Sequence, residues 1–216
     1  MIYVVKHKDY DCPLPEGYKL LEVGELFKDY NTDNINELNP YINELTGLYW
    51  IWKNTNDDFV GLCHYRRYFT DGDKLLTISK AKEKLSGHDI LVAAPTVFNV
   101  SLYDILRNDL NDWQVFSFYQ DIFFKAVPGF EDYLKSNFVV NPRNMFFCRK
   151  DLIDSYCEWL FPIVIPIAKQ FQFKVAPSYK DNPYNTRMIG FFAERLMSYW
   201  FIKANLDCVE VEYCDI

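Results

Sequence analysis

The apolar positions of the amino-terminal half fall into short unbroken runs separated by polar or helical stretches. Residues 1–5 form an apolar run rich in β-branched side chains, and residues 19–23 are predicted to form a second short strand. Two further runs, FVGLC at 59–63 and DILVAA at 89–94, are typical of buried strands. Because helical segments separate these strands, the pattern predicts an α/β fold with a largely parallel sheet.

Helical spacing of apolar positions marks the other elements. Residues 39–54 are predicted to form one amphipathic helix, with Pro40 near its start. The remaining predictions are a helix at 78–85, mainly helical structure at 102–134, a strand with a turn at 139–148, a helix from 151 to about 160, a loop at 179–185, a long helix at 187–204, and an edge strand within the last ten residues.

Composition then limits the kind of protein. The chain of 216 residues is half hydrophobic and 18% aromatic, which predicts a single domain over 1–216 with a large core and spare rings for a ligand cleft. The net charge of −7 argues against nucleic acid as a partner, because nucleic-acid binding depends on neutralising phosphates with Lys and Arg. Any anionic ligand must therefore meet a local basic cluster.

Cysteine usage and hydropathy indicate the compartment. The six cysteines are scattered without a CxxC pair, and the chain shows no signal peptide, so we expect free thiols and a cytoplasmic location. The longest apolar stretch, 159–168, is too short to span a bilayer and contains Pro162 and Pro166. We expect it to pack against the sheet, with a peripheral contact to a membrane or to a partner protein as the alternative.

The sharpest chemical signal is HYRRY at 64–68, directly after the third strand. Two adjacent arginines at a strand end need anionic partners, and the planar guanidinium suits phosphate while tyrosine rings stack on a base or sugar. The alternative is that Arg66 and Arg67 form ion pairs with internal carboxylates such as Glu44 or Glu194. His7 and Lys8 follow the first strand, also at the sheet edge where ligands bind in open α/β sheets.

The order of elements resembles that of nucleotide-sugar transferases of the GT-A type, with HYRRYF where these enzymes carry a metal-binding Asp-x-Asp. Two guanidinium groups can neutralise a leaving diphosphate in place of a metal ion, so no metal or other cofactor is expected. The literal Asp71-Gly72-Asp73 is interpreted as a turn, with metal binding as the alternative.

The segments ELTGLYWIWKN, GLCHYRRYF, HDILVAAP, RNMFFCRKDLIDSYCEWLF and RMIGFFAERL, in this order, resemble the DUF4422 family over essentially the whole chain. The resemblance implies a GT-A-like (Rossmann-like) mixed, mainly parallel sheet flanked by helices. It also implies a glycosyltransferase of capsule, O-antigen or exopolysaccharide pathways that uses a nucleotide-diphosphate sugar donor and a glycan or lipid-linked glycan acceptor. Some members are associated with galactose-containing polymers.

The family motif residues carried over by position are Asn39, Glu44, Trp52, Lys53, Asn54, residues 64–69, Asp89, Asn144, Met145, Arg187, Gly190, Glu194 and Arg195. The expected catalytic residues are Arg66, Arg67, Glu194 and Asp89. The expected substrate contacts are His7, Lys8, Glu44, Lys53, Asn54, His64, Tyr65, Tyr68, Asn144, Arg187 and Arg195.

Several roles stay open at this point. Glu44 either orders the two arginines or acts as a catalytic carboxylate, and Glu194 is either a general base or the ion-pair partner of Arg195. Asp89 either holds a sugar hydroxyl or is structural. The segment 113–120 lacks the histidine expected from the family, so acceptor recognition is expected to differ. A non-catalytic sugar-binding or nucleotide-sugar-binding module is the main alternative function, and a phosphohydrolase is a weaker one.

Overall fold

The computed structural model describes residues 1–109, 113–174 and 186–216, with backbone only at 109, 113, 114 and 171–174. The loop expected at 179–185 lies outside these residues. The strands are β1 Ile2–Lys6, β2 Tyr18–Glu22, β3 Phe59–His64, β4 Arg67–Asp71, β5 Lys74–Leu75, β6 Ile90–Ala93, β7 Thr96–Val97, β8 Val139–Val140, β9 Phe146–Arg149, β10 Cys208–Val211 and β11 Tyr213–Asp215. The helices are α1 Asn39–Ile42, α2 Leu45–Asn54, α3 Ile78–Leu85, α4 Leu102–Asp109, α5 Trp113–Ala126, α6 Phe130–Ser136, α7 Lys150–Lys174 and α8 Met188–Lys203.

The main sheet has the order β10-β6-β9-β3-β1-β2. Strand β1 runs parallel to β2 and β3, and β10 runs parallel to β6. Strand β9 is antiparallel to both of its neighbours, β3 and β6. Five of these six strands therefore point the same way, which confirms the mixed, mainly parallel sheet. The carboxyl ends of those five strands lie at one edge of the sheet.

Both faces of the sheet are covered. Along β1, Tyr3 and Val5 pack into the larger hydrophobic cluster with helices α2, α7 and α8, whereas Ile2 and Val4 pack into a smaller cluster with α3 and β4. This division explains the continuous apolar run at the start of the chain, because a parallel strand buried on both faces has no polar alternation.

The predicted helix at 39–54 is two helices. The break falls at Asn43, whose φ of 52° lies in the left-handed region and ends α1. The Asn39 amide donates to the backbone oxygen of Asn43 (3.2 Å) and to the hydroxyl of Thr46 (3.2 Å), so the break is held by side-chain hydrogen bonds. The hydrophobic spacing continues across this break, which is why the pattern alone predicted a single helix.

Helix α7 corrects a second prediction, since it runs through Pro162 and Pro166 to Lys174 and not to about 160. Burial of Val164 and Ile167 in the larger cluster compensates for the two missing backbone donors, and it shows that this stretch packs into the core, where Phe161 stacks on Trp52 of α2. Among the described residues, no helix is long and apolar enough to cross a membrane.

The carboxyl-terminal strand prediction is confirmed. Strand β10 forms the edge of the main sheet beside β6, and β11 pairs with β4. All six cysteines lie in the described part of the chain, and none of them is disulfide-bonded.

Candidate active site

A cavity of about 650 Å³ opens at the carboxyl edge of the parallel strands. Its floor is formed by the ends of β1 and β3, where Val5 and His64 are paired across the two strands. The junction of α1 and α2 and the first two turns of α8 contribute the adjoining walls. This is the edge at which open α/β sheets bind their ligands.

The cavity is strongly cationic. Arg66, Arg67, Arg143 and Arg187 all line it, and its only acidic residues among the described ones are Glu44 and Glu194. Guanidinium groups remain charged at any physiological pH and match the geometry of phosphate oxygens. The arrangement therefore suits a ligand that carries several negative charges.

The two adjacent arginines do not pair with the cavity carboxylates. Arg67 Nε lies 2.7 Å from Asp215 Oδ1, in an ion pair whose acidic partner is exposed. The guanidinium of Arg66 lies over the Tyr65 ring, 5.0 Å from its centroid. The alternative in which these arginines pair with Glu44 or Glu194 is thus not what the fold adopts, and Arg66 is directed by stacking.

Helix α8 presents one face to the cavity. Arg187 at its start, Gly190 and Glu194 recur at the spacing of one helical face. A Cβ atom at Gly190 would clash with the side-chain nitrogen of Asn43, so glycine permits α8 to approach the break between α1 and α2. This close approach brings Glu44 and Glu194 to the same cavity from two different helices.

A strained turn precedes β9 at the cavity edge. Arg143 (φ 67°) and Asn144 (φ 51°) are consecutive non-glycine residues in the left-handed region, where each such residue costs on the order of 1 kcal/mol. His64 Nε2 lies 2.6 Å from the Arg143 carbonyl oxygen, and the Asn144 amide donates to Glu44 Oε1 at 2.7 Å. Side chains from β3 and from the α1–α2 junction therefore hold the turn, and the turn carries Arg143 into the cavity.

Both carboxylates have raised pKa values, and burial is the main cause. For Glu44, the hydrogen bond from its own backbone N–H, the hydrogen bond from Asn144 and the charges of Arg187 and Arg67 partly oppose the rise in pKa. Glu194 Oε2 accepts a hydrogen bond from Arg195 Nη1 at 3.1 Å, while the nearby Glu44 carboxylate adds to the rise. The two carboxyl groups thus share a site in which charge is costly.

Two histidines in the cavity are neutral. Burial, followed by the charge of Arg187, lowers the pKa of His7 to about 4. Burial also lowers the pKa of His64 to about 4. Because His64 Nε2 faces a carbonyl oxygen, that nitrogen carries the proton. The His7 ring meets the Tyr65 ring edge-on, with centroids 5.1 Å apart.

The fold thus brings together many of the residues predicted from the sequence. Those that line the cavity are His7, Glu44, His64, Tyr65, Arg66, Arg67, Arg187 and Glu194. Asn144 is fully buried and acts on the cavity through its bond to Glu44. Arg143 was missed, although its place beside the motif residue Asn144 and before a strand was a usable signal.

Lys53 and Asn54 do not reach the cavity. They end α2, whereas Glu44 precedes its first residue, and a ten-residue helix is about 15 Å long. The Lys53 ammonium lies 3.3 Å from the centroid of a Trp52 ring, and the Asn54 amide donates to the backbone oxygen of Trp50 at 2.9 Å. Both predicted substrate contacts are replaced by structural roles at the end of this helix.

Asp89 lies at the wrong edge of the sheet for the predicted catalytic role. It precedes β6, so it sits at the amino end of a strand whose carboxyl end faces the cavity edge. Its carboxylate is exposed and accepts a hydrogen bond from the backbone N–H of Asp207 at 2.9 Å. The structural alternative is therefore the one that the fold supports.

Tyr68, Lys8 and Arg195 also lie outside the cavity lining. Tyr68 is fully buried in the smaller cluster and stacks on Tyr18, and Lys8 is exposed. Arg195 is only 4% exposed and donates to Glu194 and to the backbone oxygen of Phe191. The ion-pair alternative for Glu194 and Arg195 is thus observed, and Arg195 is not placed to bind phosphate.

The residues of the literal Asp-x-Asp do not fit a metal site at this cavity. Asp71, Gly72 and Asp73 form the turn between β4 and β5, with Gly72 at a φ of 62°. Asp71 is ion-paired with Lys84 at 2.9 Å. Within the described ranges, no three His, Cys, Asp or Glu side chains converge to form a metal-binding group.

Fold and site together define a GT-A-like α/β protein with an arginine-lined cavity at the carboxyl edge of its sheet. The family model of DUF4422, a domain of unknown function, matches residues 1–205. The chain belongs to this family.

One solved structure offers a detailed comparison. The fold is similar to that of WbbM, described as a bifunctional glycosyltransferase in its apo form, with a TM-score of 0.76 and 25% sequence identity. The match covers all of this chain and 45% of that one, so this chain spans less than half of the protein that it resembles. No curated protein matches the sequence.

Proposed function

We propose that this chain is a glycosyltransferase that transfers a hexose from a nucleotide-diphosphate sugar to a glycan acceptor in bacterial surface polysaccharide biosynthesis. Membership of the DUF4422 family and similarity to a bifunctional glycosyltransferase support the class of reaction. In this proposal the acceptor is a glycan or a lipid-linked glycan, and galactose is the first sugar to test. The protein is proposed to act in the cytoplasm at the inner face of the membrane.

The observation that carries the proposal is the set of arginines at 66, 67, 143 and 187 around one cavity. Breaking the bond between a sugar and a nucleoside diphosphate leaves additional negative charge on the diphosphate. A unit charge pair 4 Å apart at a protein surface interacts by roughly 4 kcal/mol, so several guanidinium groups supply a large stabilisation of that leaving group.

The donor is placed with its diphosphate between Arg66, Arg67, Arg143 and Arg187, and with its base or ribose near His7 and Tyr65. Neutral imidazole and phenol rings offer stacking and hydrogen bonding without adding charge. In this proposal the arginines replace a divalent metal ion, and the reaction proceeds in the presence of EDTA.

Donor binding and turnover test the proposal. Purified protein is heated with a panel of nucleoside diphosphates and nucleotide-sugars, in EDTA and again with manganese, because a ligand that binds the folded state raises its melting temperature. We expect one nucleotide to stabilise the protein in EDTA, and Arg66→Ala and Arg67→Ala to lose that stabilisation. Arg149→Ala is the matched control, since Arg149 is exposed and ion-paired with Asp151.

Release of nucleoside diphosphate distinguishes an enzyme from a binding module. Acceptor-dependent release that is abolished in the Arg66 and Arg67 variants supports a transferase. Donor binding without any release, across a panel of glycan acceptors, would favour a non-catalytic module. Stabilisation that requires manganese would remove the proposed replacement of metal by arginine.

A further inference from the structure

Glu44 differs from Glu194, the other carboxylate of the cavity, in its partners. Its Oε1 accepts a hydrogen bond from Asn144 at 2.7 Å, and no Lys, Arg or His nitrogen of the described residues lies within ion-pair distance of its carboxylate. The residue precedes the first turn of α2 and faces the cavity. Its carboxylate also accepts a hydrogen bond from its own backbone N–H, so it is a cavity carboxylate held by hydrogen bonds and without an ion-pair partner among the described residues.

The carboxylate of Glu194, the other acidic residue of the cavity, already has partners within the protein. Its Oε2 is bonded to the buried Arg195, and its carboxylate also accepts the backbone N–H of Arg143. Protonating Glu194 would leave the Arg195 charge buried without its partner, which is costly. Glu44 is therefore better suited than Glu194 to take up a proton during a reaction.

The anchor of Glu44 is unusual in its backbone. Asn144 is fully buried, and both it and Arg143 adopt positive φ values that only the surrounding contacts can maintain. The hydrogen bond from His64, at the end of β3, to the Arg143 carbonyl fixes the turn. The Asn144 amide is therefore held in place against Glu44. Such a supporting contact is what keeps a reactive group within the tolerance that catalysis needs.

We propose that Glu44 is the general base that deprotonates the acceptor hydroxyl, and that Asn144 is its positioning residue; this rests on the function proposed above. The acceptor O–H proton passes to the Glu44 carboxylate as the acceptor oxygen forms its bond to the anomeric carbon. The bond from that carbon to the donor phosphate oxygen breaks, and its electron pair leaves with the nucleoside diphosphate. The products are a lengthened glycan and a free nucleoside diphosphate.

The surroundings of Glu44 favour this role. Burial raises its pKa, which makes it a stronger base than an exposed carboxylate. The charged and titratable groups that face it are Arg187 and Glu194 on α8, Arg67 on β4 and Tyr156 on α7. The charges of the two arginines favour the ionised form of Glu44, which a general base requires.

The first test replaces Glu44 by its neutral isostere. Glu44→Gln is expected to lower kcat by about 10²-fold to 10⁴-fold, the usual loss for a general base, with the donor dissociation constant changed less than about threefold. Asp89→Asn is the matched acid-to-amide control at the opposite edge of the sheet, and it should retain wild-type kcat. Full activity in Glu44→Gln would overturn the proposal.

The second test separates positioning from folding. Asn144→Gly removes the amide at a residue whose φ of 51° glycine adopts without strain, so the fold should be kept. Loss of a hydrogen bond to the charged carboxylate should move the acid limb of the kcat profile to higher pH and lower kcat more than it raises KM. A variant with an unchanged pH profile would show that Asn144 is only structural.

Other outcomes are also decisive. Activity in Glu44→Gln together with a folded but inactive Glu194→Gln would transfer the base role to Glu194. A base-assisted single displacement inverts the anomeric configuration, so a product with retained configuration would contradict the proposal. If the wild-type protein binds donor but transfers no sugar, the proposed function itself fails. If the wild-type protein transfers sugar and Glu44→Gln does so equally well, only the inference about Glu44 fails.

Discussion

The buried ion pair between Glu194 and Arg195 makes a strong prediction for stability. Arg195 is 4% exposed, and its Nη1 donates to Glu194 Oε2 at 3.1 Å and to the Phe191 carbonyl at 3.0 Å. Glu194→Gln keeps the shape of the side chain but leaves the guanidinium charge buried without a counter-charge. We expect this change to lower the free energy of unfolding substantially at neutral pH.

The magnitude follows from the contacts that remain. Breaking a buried ion pair by removing one partner costs about 3–5 kcal/mol. Arg195 keeps its bond to Phe191 and gains a neutral amide oxygen as acceptor, and the cost of burying the Glu194 charge disappears, so the loss should lie near the lower limit, about 3 kcal/mol. For a chain of this size, that corresponds to a fall in Tm of roughly 6–12 °C.

Urea unfolding at pH 7, followed by circular dichroism, measures the effect. Glu158→Gln is the matched control, because Glu158 is exposed on α7 and should change stability by less than about 0.5 kcal/mol. The double variant Glu194→Gln with Arg195→Leu should recover part of the loss, since no charge remains buried. A loss below about 1 kcal/mol in Glu194→Gln would refute the view that the buried Arg195 depends on Glu194 for its counter-charge.

Three further predictions follow from single contacts. Gly61→Ala should destabilise the fold by more than about 2 kcal/mol in urea unfolding, because its Cβ would lie 2.8 Å from the backbone oxygen of Phe146, and a near-neutral result would contradict the register of β3 and β9. The pKa of His7 is lowered from 6.5 to about 4, so the neutral imidazole contributes stability that is present above pH 6.5 and is lost as pH falls toward 4. His7→Gln should therefore flatten the dependence of the unfolding free energy on pH between 6.5 and 4. Lys53→Ala should leave the donor-dependent rise in melting temperature unchanged, because Lys53 contacts Trp52 and not the cavity. Loss of that rise would show that Lys53 contributes to donor binding.

The strands were predictable because their signal is local. A parallel strand buried on both faces needs an unbroken apolar run, and 59–63 and 89–94 supplied it. The limits of the helices were less predictable. The break at Asn43 depends on hydrogen bonds from Asn39, and the passage of α7 through Pro162 depends on packing against the core. Neither dependence appears in hydrophobic spacing.

The site residues also divide into those with a local signal in the sequence and those without one. Arg66 and Arg67 were found because two charges directly after a buried strand are improbable without a ligand or a counter-ion, and Arg187 and Glu194 were found through the family resemblance. Asp89 was misplaced because the family resemblance suggested its role, although a residue that precedes a strand of a parallel sheet lies at the amino edge, away from the strand-end arginines.

The sequence by itself determined the α/β class, the mainly parallel sheet, the strand-end arginines and the family, because each of these depends on neighbouring residues or on a contiguous motif. Only the tertiary structure decided which charges meet. Glu44, Asn144 and Glu194 come from distant parts of the chain and meet where α8 packs against Asn43 and where a turn with positive φ values carries Arg143 to the same edge. Long-range packing sets such distances, and a local pattern of residue types does not encode them.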